Sequence, residues 1–308
     1  MPPYSLDDKL VIGISSRALF DLEVENEIFE QQQEEAYARY QRERENEPLR
    51  PGTAFPLIKA LLNLNNLIAD RRLVEVVVMS KNSPDTGLRA FNSVEHYGLD
   101  ISRAAFTRGE SLAPYLDAFE VDLFLSKHDG DVQAAIDNGV AAAVLYEPPE
   151  EIAEDAREIR IAFDGDAVLF SDESERIYKE QGLEAFLEHE RQHRGTSLPE
   201  GPFAKLLRTL SVVQQQFAPR ECPLKIALVT ARCSPTHTRV IHTLRDWGVT
   251  IDEAFFLGGV SKEKVLKSFG AQIFFDDQDT HLAPASRHVP SGRVPYRGGA
   301  IRQKKKTD

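Results

Sequence analysis

Cysteine is scarce in this chain: Cys222 and Cys233 are the two among 308 residues. Their number and spacing exclude a disulfide framework and a thiolate zinc site. No histidine placement supports Cys233 as a nucleophile, so a small semi-buried thiol is expected there. No apolar run approaches the length that crosses a bilayer. Met1-Pro-Pro-Tyr-Ser-Leu-Asp-Asp8 lacks the basic start and apolar centre of a signal peptide, which makes the cytoplasm the expected location. Positive charge is also short. A net charge of −12 argues against a nucleic-acid-binding surface, while a bound divalent cation would still admit an anionic substrate. Hydrophobic residues make up 42%, enough to build the core of one large or two ordinary globular domains.

What is present is a set of apolar runs that end in chemistry. Ile161-Ala-Phe-Asp164-Gly-Asp166-Ala-Val-Leu-Phe170 reads as a buried strand that delivers two carboxylates to a sheet edge. Open α/β folds place their ligands at that edge. Along an extended chain Asp164 and Asp166 would point the same way, with Gly165 admitting a ligand to the backbone. Leu228-Val-Thr230-Ala-Arg232 ends in a hydroxyl, Phe255-Phe-Leu-Gly-Gly-Val-Ser-Lys262 runs to a lysine, and Ile273-Phe-Phe-Asp276-Asp277 ends in paired acids. Each type suits phosphoryl transfer. One aspartate accepts the phosphoryl group, and its neighbour moves the proton. The hydroxyl and the lysine hold the phosphoryl oxygens, and the acids hold Mg²⁺.

The two halves resemble each other. At an offset of 149, Ile161, Ala167, Ile177, Gln181, Ala185 and Leu198 match Ile12, Ala18, Ile28, Gln32, Ala36 and Leu49. At an offset of 150, Arg239, Gly248, Ala254 and Phe256 match Arg89, Gly98, Ala104 and Phe106, and Gly259, Ser261, Leu266, Phe269 and Phe274 also find their equals. Such a sustained register indicates internal duplication. The chemical residues are lost from the first copy: Ser15, Arg17, Leu112, Ser126 and Lys127 stand at the places of Asp164, Asp166, Lys262, Asp276 and Asp277, and only the Thr230 hydroxyl persists, as Ser80. The first half therefore reads as a degenerate copy with a cationic pseudo-site, either a structural partner or a direct binder of phosphate.

Strands alternate with helices throughout, which implies doubly wound, Rossmann-like units with parallel sheets. Strands are predicted at 10–14, 73–79, 104–107, 121–125 and 140–145, then at 159–163, 224–229, 253–257 and 272–275. Helices are predicted between them, including 22–45 and 53–69 in the first half and 172–193 and 202–217 in the second. The 66 positions between Asp164 and Thr230 are long for one crossover, so residues 172–218 are expected to form a small helical cap. Phe203 and Phe217 within it are candidates to stack on a base, although aromatics at helical spacing are usually core. The resulting layout is a non-catalytic half over 1–150, a catalytic half over 151–285 and a basic, largely flexible tail over 286–308.

The order Asp-x-Asp, Thr, Lys, Asp-Asp resembles the haloacid dehalogenase superfamily of phosphatases. Phe163-Asp-Gly-Asp-Ala-Val-Leu-Phe-Ser-Asp-Glu173, Thr230-Ala-Arg232 and Phe274-Phe-Asp-Asp-Gln278 are similar to the cytosolic type I 5′-nucleotidase family, as are Ile14-Ser-Ser-Arg-Ala-Leu-Phe-Asp21, Asn82-Ser-Pro-Asp-Thr-Gly87 and His288-Val-Pro-Ser-Gly292. The resemblance implies two haloacid-dehalogenase-like units and Mg²⁺-dependent hydrolysis of nucleoside 5′-monophosphates, AMP first, through an aspartyl phosphate. It implies catalysis by Asp164, Asp166, Thr230 and Lys262, substrate contacts from Gly165, Thr230, Ala231, Arg232 and Lys262, and metal contacts from Asp164, Asp166, Asp276 and Asp277. A regulatory nucleotide and a homo-oligomer are compatible with it; nucleic acid and membrane are not expected partners. A phosphatase for non-nucleotide esters and a nucleotide sensor without turnover are the alternatives. A phosphoacceptor receiver is disfavoured, because there the acidic pair precedes the phosphorylated aspartate, whereas Asp276-Asp277 comes last.

Overall fold

A computed structural model describes residues 4–68, 71–149, 158–218 and 221–295. The chain divides into two compact units, Met1–Val140 and Ala141–Asp308. The first unit runs β1 (Leu10–Ile14), α1 (Ser16–Leu19), β2 (Phe20–Asp21), α2 (Glu23–Glu43), β3 (Arg50–Pro51), α3 (Phe55–Asn63), β4 (Val74–Ser80), α4 (Pro84–His96), β5 (Arg103–Phe106), α5 (Ala113–Ala118), β6 (Leu123–Ser126) and α6 (Asp129–Asp137). Its strands lie in the order β6-β1-β4-β5, with every pair parallel. The apolar runs of β1, β4 and β6 are buried along their whole length, as a sheet covered on both faces requires. Glu75 is the one charge within β4, and it is tolerated because Arg72 and Arg103 reach it at 2.9 and 2.5 Å.

The second unit runs β7 (Ala141–Leu145), β8 (Ile159–Phe163), α7 (Glu173–Gln192), α8 (Ala204–Gln214), β9 (Leu224–Thr230), α9 (His237–Asp246), β10 (Glu253–Phe256), α10 (Lys262–Phe269), β11 (Ile273–Asp276), α11 (Asp279–Ala285) and β12 (Ser291–Arg293). The order is β10-β9-β8-β11-β12-β7, parallel except for the last pair. In each unit a central strand lies between two later ones, β1 between β4 and β6 and β8 between β9 and β11. Strand order reverses at these two strands, where doubly wound sheets open a crevice at their carboxyl ends.

Three particulars differ from expectation. The boundary falls after Val140 rather than at 150, because β7 pairs antiparallel with β12 and so joins the second unit. The start of the basic segment, where His288–Gly292 is the part expected to be ordered, extends that order to Arg293: β12 lies in the sheet, with β11 on one side and β7 on the other. Ser291-Gly-Arg293 has no apolar run to announce it; backbone pairing places it in the sheet, between the buried Val289 and Val294. The rest of the expected tail, 296–308, lies outside the described residues. The thiols also divide, with Cys222 buried and Cys233 exposed rather than semi-buried.

The two helices expected as a cap behave differently. Helix α8 buries Leu206, Leu207, Leu210 and Val213, and Phe203 at its start packs on Phe163 and Phe275. Phe203 is fully buried, so it is a core residue and not a base-stacking one; Phe217 is half-buried just past the helix. Helix α7 is instead mostly exposed, and buries Ser174 and Glu190. It breaks at Gly182, whose φ of 85° and ψ of −179° belong to a region that only glycine enters without strain.

Candidate active site

β8 ends at Phe163, and Asp164 follows with its backbone N–H donated to the Phe275 carbonyl of β11 at 2.8 Å. The chain then turns instead of running on extended. Phe170 donates to the Gly165 carbonyl at 2.9 Å, and Ala167 takes a left-handed φ of 62°. Strain of that kind at a non-glycine residue is characteristic of functional loops. Because of the turn, Asp164 and Asp166 do not share a partner, contrary to the alternation expected of a straight strand.

Asp164 meets Lys262. The ammonium, at the first turn of α10, lies 2.7 Å from Asp164 Oδ1 and 2.6 Å from Asp276 Oδ2. Asp276, at the end of β11, also accepts from the Gln278 N–H at 2.9 Å and lies 3.1 Å from His281 Nδ1. Asp164, Asp276 and Asp277 each place a carboxylate oxygen within 4.8 Å of the others. Thr230, buried at the end of β9, accepts the Arg232 N–H on its hydroxyl and stands over Gly165, where an added Cβ would lie 3.2 Å from Thr230 Oγ1. Gly165 thus keeps the floor of the site open. Ala231, the next residue, is exposed.

Two of these three carboxylates, Asp164 and Asp276, share one lysine, and the affinities of the three for protons separate accordingly. Burial raises Asp277 to about 9, with the charges of Asp164, Glu175 and Asp276 adding to the effect. Its Oδ1 is buried without a hydrogen-bond partner. Burial also raises Asp164, to about 7, although Lys262 pulls the other way. Asp276 stays below the ordinary aspartate range: burial would raise it, but Lys262 and His281 outweigh that. Lys262 itself is raised, since Asp164 and Asp276 overcome its desolvation. An excess of buried acid with an orphaned oxygen is a donor set that fits a hard divalent cation.

Asp166 sits apart from this cluster. Both its oxygens are taken by Arg232, Nη2 to Oδ1 at 2.7 Å and Nε to Oδ2 at 2.8 Å. The carboxylate cluster therefore does not include the Asp166 side chain; the sequence expectation for the metal concerned the Asp166 backbone carbonyl, on which the side chain's position does not bear. Arg232 also reaches Glu190 of α7 at 2.6 Å, and Glu190 accepts further from Arg239 at 2.9 Å and from the Ser174 hydroxyl at 2.8 Å.

In the first unit Arg89 donates to Glu25 at 2.7 Å and to Gln41 at 3.3 Å. At the offset of 149 Glu25 and Gln41 align with Ser174 and Glu190, an acid and a neutral residue in the opposite order. Arg17 and Lys127, the expected cations of the pseudo-site, do converge: both donate to Glu23, at 3.0 and 2.9 Å. Leu112, at the place of Lys262, is buried.

A family model described as 5′-nucleotidase matches residues 2–300. The chain belongs to the 5′-nucleotidase family. It is 39% identical over 288 residues to Cytosolic 5′-nucleotidase 1B of Homo sapiens, an alignment that covers 90% of this chain and 47% of that protein. The chain thus spans about half the length of this curated relative. Family and relative agree with the cytosolic type I family to which the motifs pointed. Among solved structures, a universal stress protein from Pseudomonas aeruginosa UCBPP-PA14 aligns at a TM-score of 0.32 and 9% identity, covering 75% of this chain and 85% of that one. A likeness that slight carries no argument.

In this 5′-nucleotidase-family chain, sequence reasoning passed over Glu190, Arg239, Ser174 and His281. Glu190 looked like one more acid on a charged helix. The sequence carries no signal for it, because the two arginines that need an acid, Arg232 and Arg239, are seen to be buried only in the structure.

Proposed function

We propose that the chain hydrolyses nucleoside 5′-monophosphates, AMP foremost, through an aspartyl phosphate on Asp164 and with Mg²⁺ as cofactor. The observation that carries this reading is the Asp164–Lys262–Asp276 cluster with the orphaned Asp277 at the sheet's carboxyl edge. Asp164 attacks phosphorus, so an O–P bond forms to its carboxylate as the ester O–P bond breaks. The departing nucleoside oxygen takes a proton from Asp166, and Asp166 then takes one from the water that cleaves the acyl phosphate, releasing orthophosphate. Thr230 and Lys262 hold the phosphoryl oxygens. Asp164, Asp276 and Asp277 would hold the metal, which when bound supplies positive charge to the phosphoryl oxygens. In this structure Arg232 holds both oxygens of Asp166 through two hydrogen bonds. Proton donation therefore needs Arg232 to turn toward another anion, and the substrate phosphate provides one.

The same reading includes an internal duplication and a cap reduced to α7. Support for duplication comes from the shared strand order and from the acid that Arg89 and Arg239 each meet. A further sign is a glycine in each unit, Gly52 and Gly201, whose added Cβ would strike backbone within 3 Å. Support for the cap comes from the exposure of α7 and from Glu190, which brings that helix to Arg232. The relative's name places that protein in the cytosol, and we extend the location to this chain.

Phosphate release from AMP, with ribose 5-phosphate as the comparison substrate, tests the reading. Release should require Mg²⁺, cease in EDTA and favour AMP. Asp164→Asn should lower it on the order of a thousandfold or more while leaving the circular dichroism spectrum unchanged. A mutant that retains a tenth of the activity, or full turnover in chelator, refutes it.

A further inference from the structure

The first unit holds a cavity of about 310 Å³. It lies at the carboxyl ends of β1, β4 and β6, where Ser15, Ser80 and Ser126 emerge; Arg17 and Lys127 also line it, and its two acids, Glu25 and Asp131, are each paired with a cation, Arg89 and Lys81. In the second unit the positions aligned with Ser15, Arg17, Ser126 and Lys127 carry carboxylates, which need a metal before they can meet a phosphate. Here hydroxyls and cations take those places, and the polarity of the site is inverted. Ser15 and Ser126 accept backbone N–H groups from Ala18 and His128, both at 3.2 Å, and each hydroxyl keeps its own hydrogen to donate. Arg17 Nε is buried with no partner among the described residues. Phe29 and Tyr37, edge to face at 5.7 Å, add an aromatic side.

We propose that this cavity binds a phosphomonoester directly, without a metal ion, and that Glu23 is an internal stand-in for the phosphate. The inference rests on reading the first unit as a copy that has lost its catalytic acids. Glu23 bridges Arg17 and Lys127, as a bound anion would. Its side chain is 39% exposed, whereas that of Lys127 is 7% exposed, so the carboxylate is free to swing into solvent while the ammonium stays. A phosphate carries more charge and more acceptor oxygens than the carboxylate it would displace. The cavity's volume and aromatic side suit a phosphate that carries a flat ring system better than orthophosphate alone.

Calorimetric titration of the full chain in EDTA with orthophosphate, ribose 5-phosphate and AMP tests this. All three should bind, AMP most tightly. Glu23→Gln should tighten binding about tenfold, because the competing charge is gone, and Lys127→Met should weaken it about tenfold or more. If Lys127→Met does not fold, Glu23→Gln decides, since a gain of affinity cannot come from unfolding. Affinities unchanged in the variants would assign the binding to the second unit and overturn the proposal, as would no saturable binding by any of the three. Phosphate release by the parent protein in Mg²⁺ tests the nucleotidase reading separately, so either can fail alone.

Discussion

A buried carboxylate needs a cation, and the acids of the second unit divide by the cation each has found. Asp164 and Asp276 share Lys262, while Asp166 and Glu190 share Arg232. Glu190 is the acid that holds both Arg232 and Arg239, and its pKa lies below the glutamate value of 4.5: burial opposes this, but Arg232, Ser174 and Arg239 outweigh it. Removing one partner of a buried pair strands the other charge. Glu190→Gln should therefore cost roughly 3–5 kcal/mol at neutral pH, measured by denaturant unfolding. A depressed folded pKa means that the carboxylate's contribution is complete above about 4.5 and is lost as the pH falls through the folded value. The gap between wild type and Glu190→Gln should narrow correspondingly in acid, and a gap that stays constant there would contradict the role given to its charge.

Helices α7 and α8 differ in burial although their sequences both show apolar spacing. The hydrophobic face of α8 is continuous and meets the sheet, while α7 places Tyr178 and Leu183 at 52% and 57% exposure and is anchored instead by Glu190. The turn before α8 is held by a close backbone approach. A Cβ on Gly201 would lie 2.4 Å from the Phe170 carbonyl oxygen and 2.5 Å from that of Val168, and backbone cannot rotate away as a side chain can. Gly201→Ala should therefore lower stability by about 2–3 kcal/mol in denaturant unfolding. Gly195→Ala, with nothing within 4 Å, is the matched control and should shift it by less than about 0.5 kcal/mol. Equal effects would show that the close approach does not matter.

The two units of the chain have like strand orders but unlike sheet-edge chemistry. Asp164 follows the central strand β8, and Ser15 follows the central strand β1 in the first unit; Asp164 is the nucleophile of the proposed reaction, and a serine offers no carboxylate for it. The chain should accept one phosphoryl group, not two. Beryllium fluoride with Mg²⁺, read by fluorine NMR against a protein standard, should trap one equivalent per chain and none in Asp164→Asn. Two equivalents would return catalysis to the first unit. Among the described residues no helix is long and apolar enough to cross a membrane.

The alternation of apolar runs with amphipathic segments was enough to place the parallel strands and most helices, since each of those elements carries its own periodicity. It also exposed the acids, the threonine and the lysine, because a charge at the end of an apolar run stands out from its neighbours. Tertiary structure decided the rest. β12 has three residues and no pattern, so pairing with β7 and β11 makes it a strand and draws β7 into the second unit. Asp166 leaves the cluster of Asp164 because a turn closed by Phe170 aims it at Arg232. Glu190 and Glu23 are two acids on charged helices, indistinguishable in sequence from the solvated ones around them. Each acquires its role from cations that lie 42 and 104 residues away in the chain, and only folding brings those charges within reach.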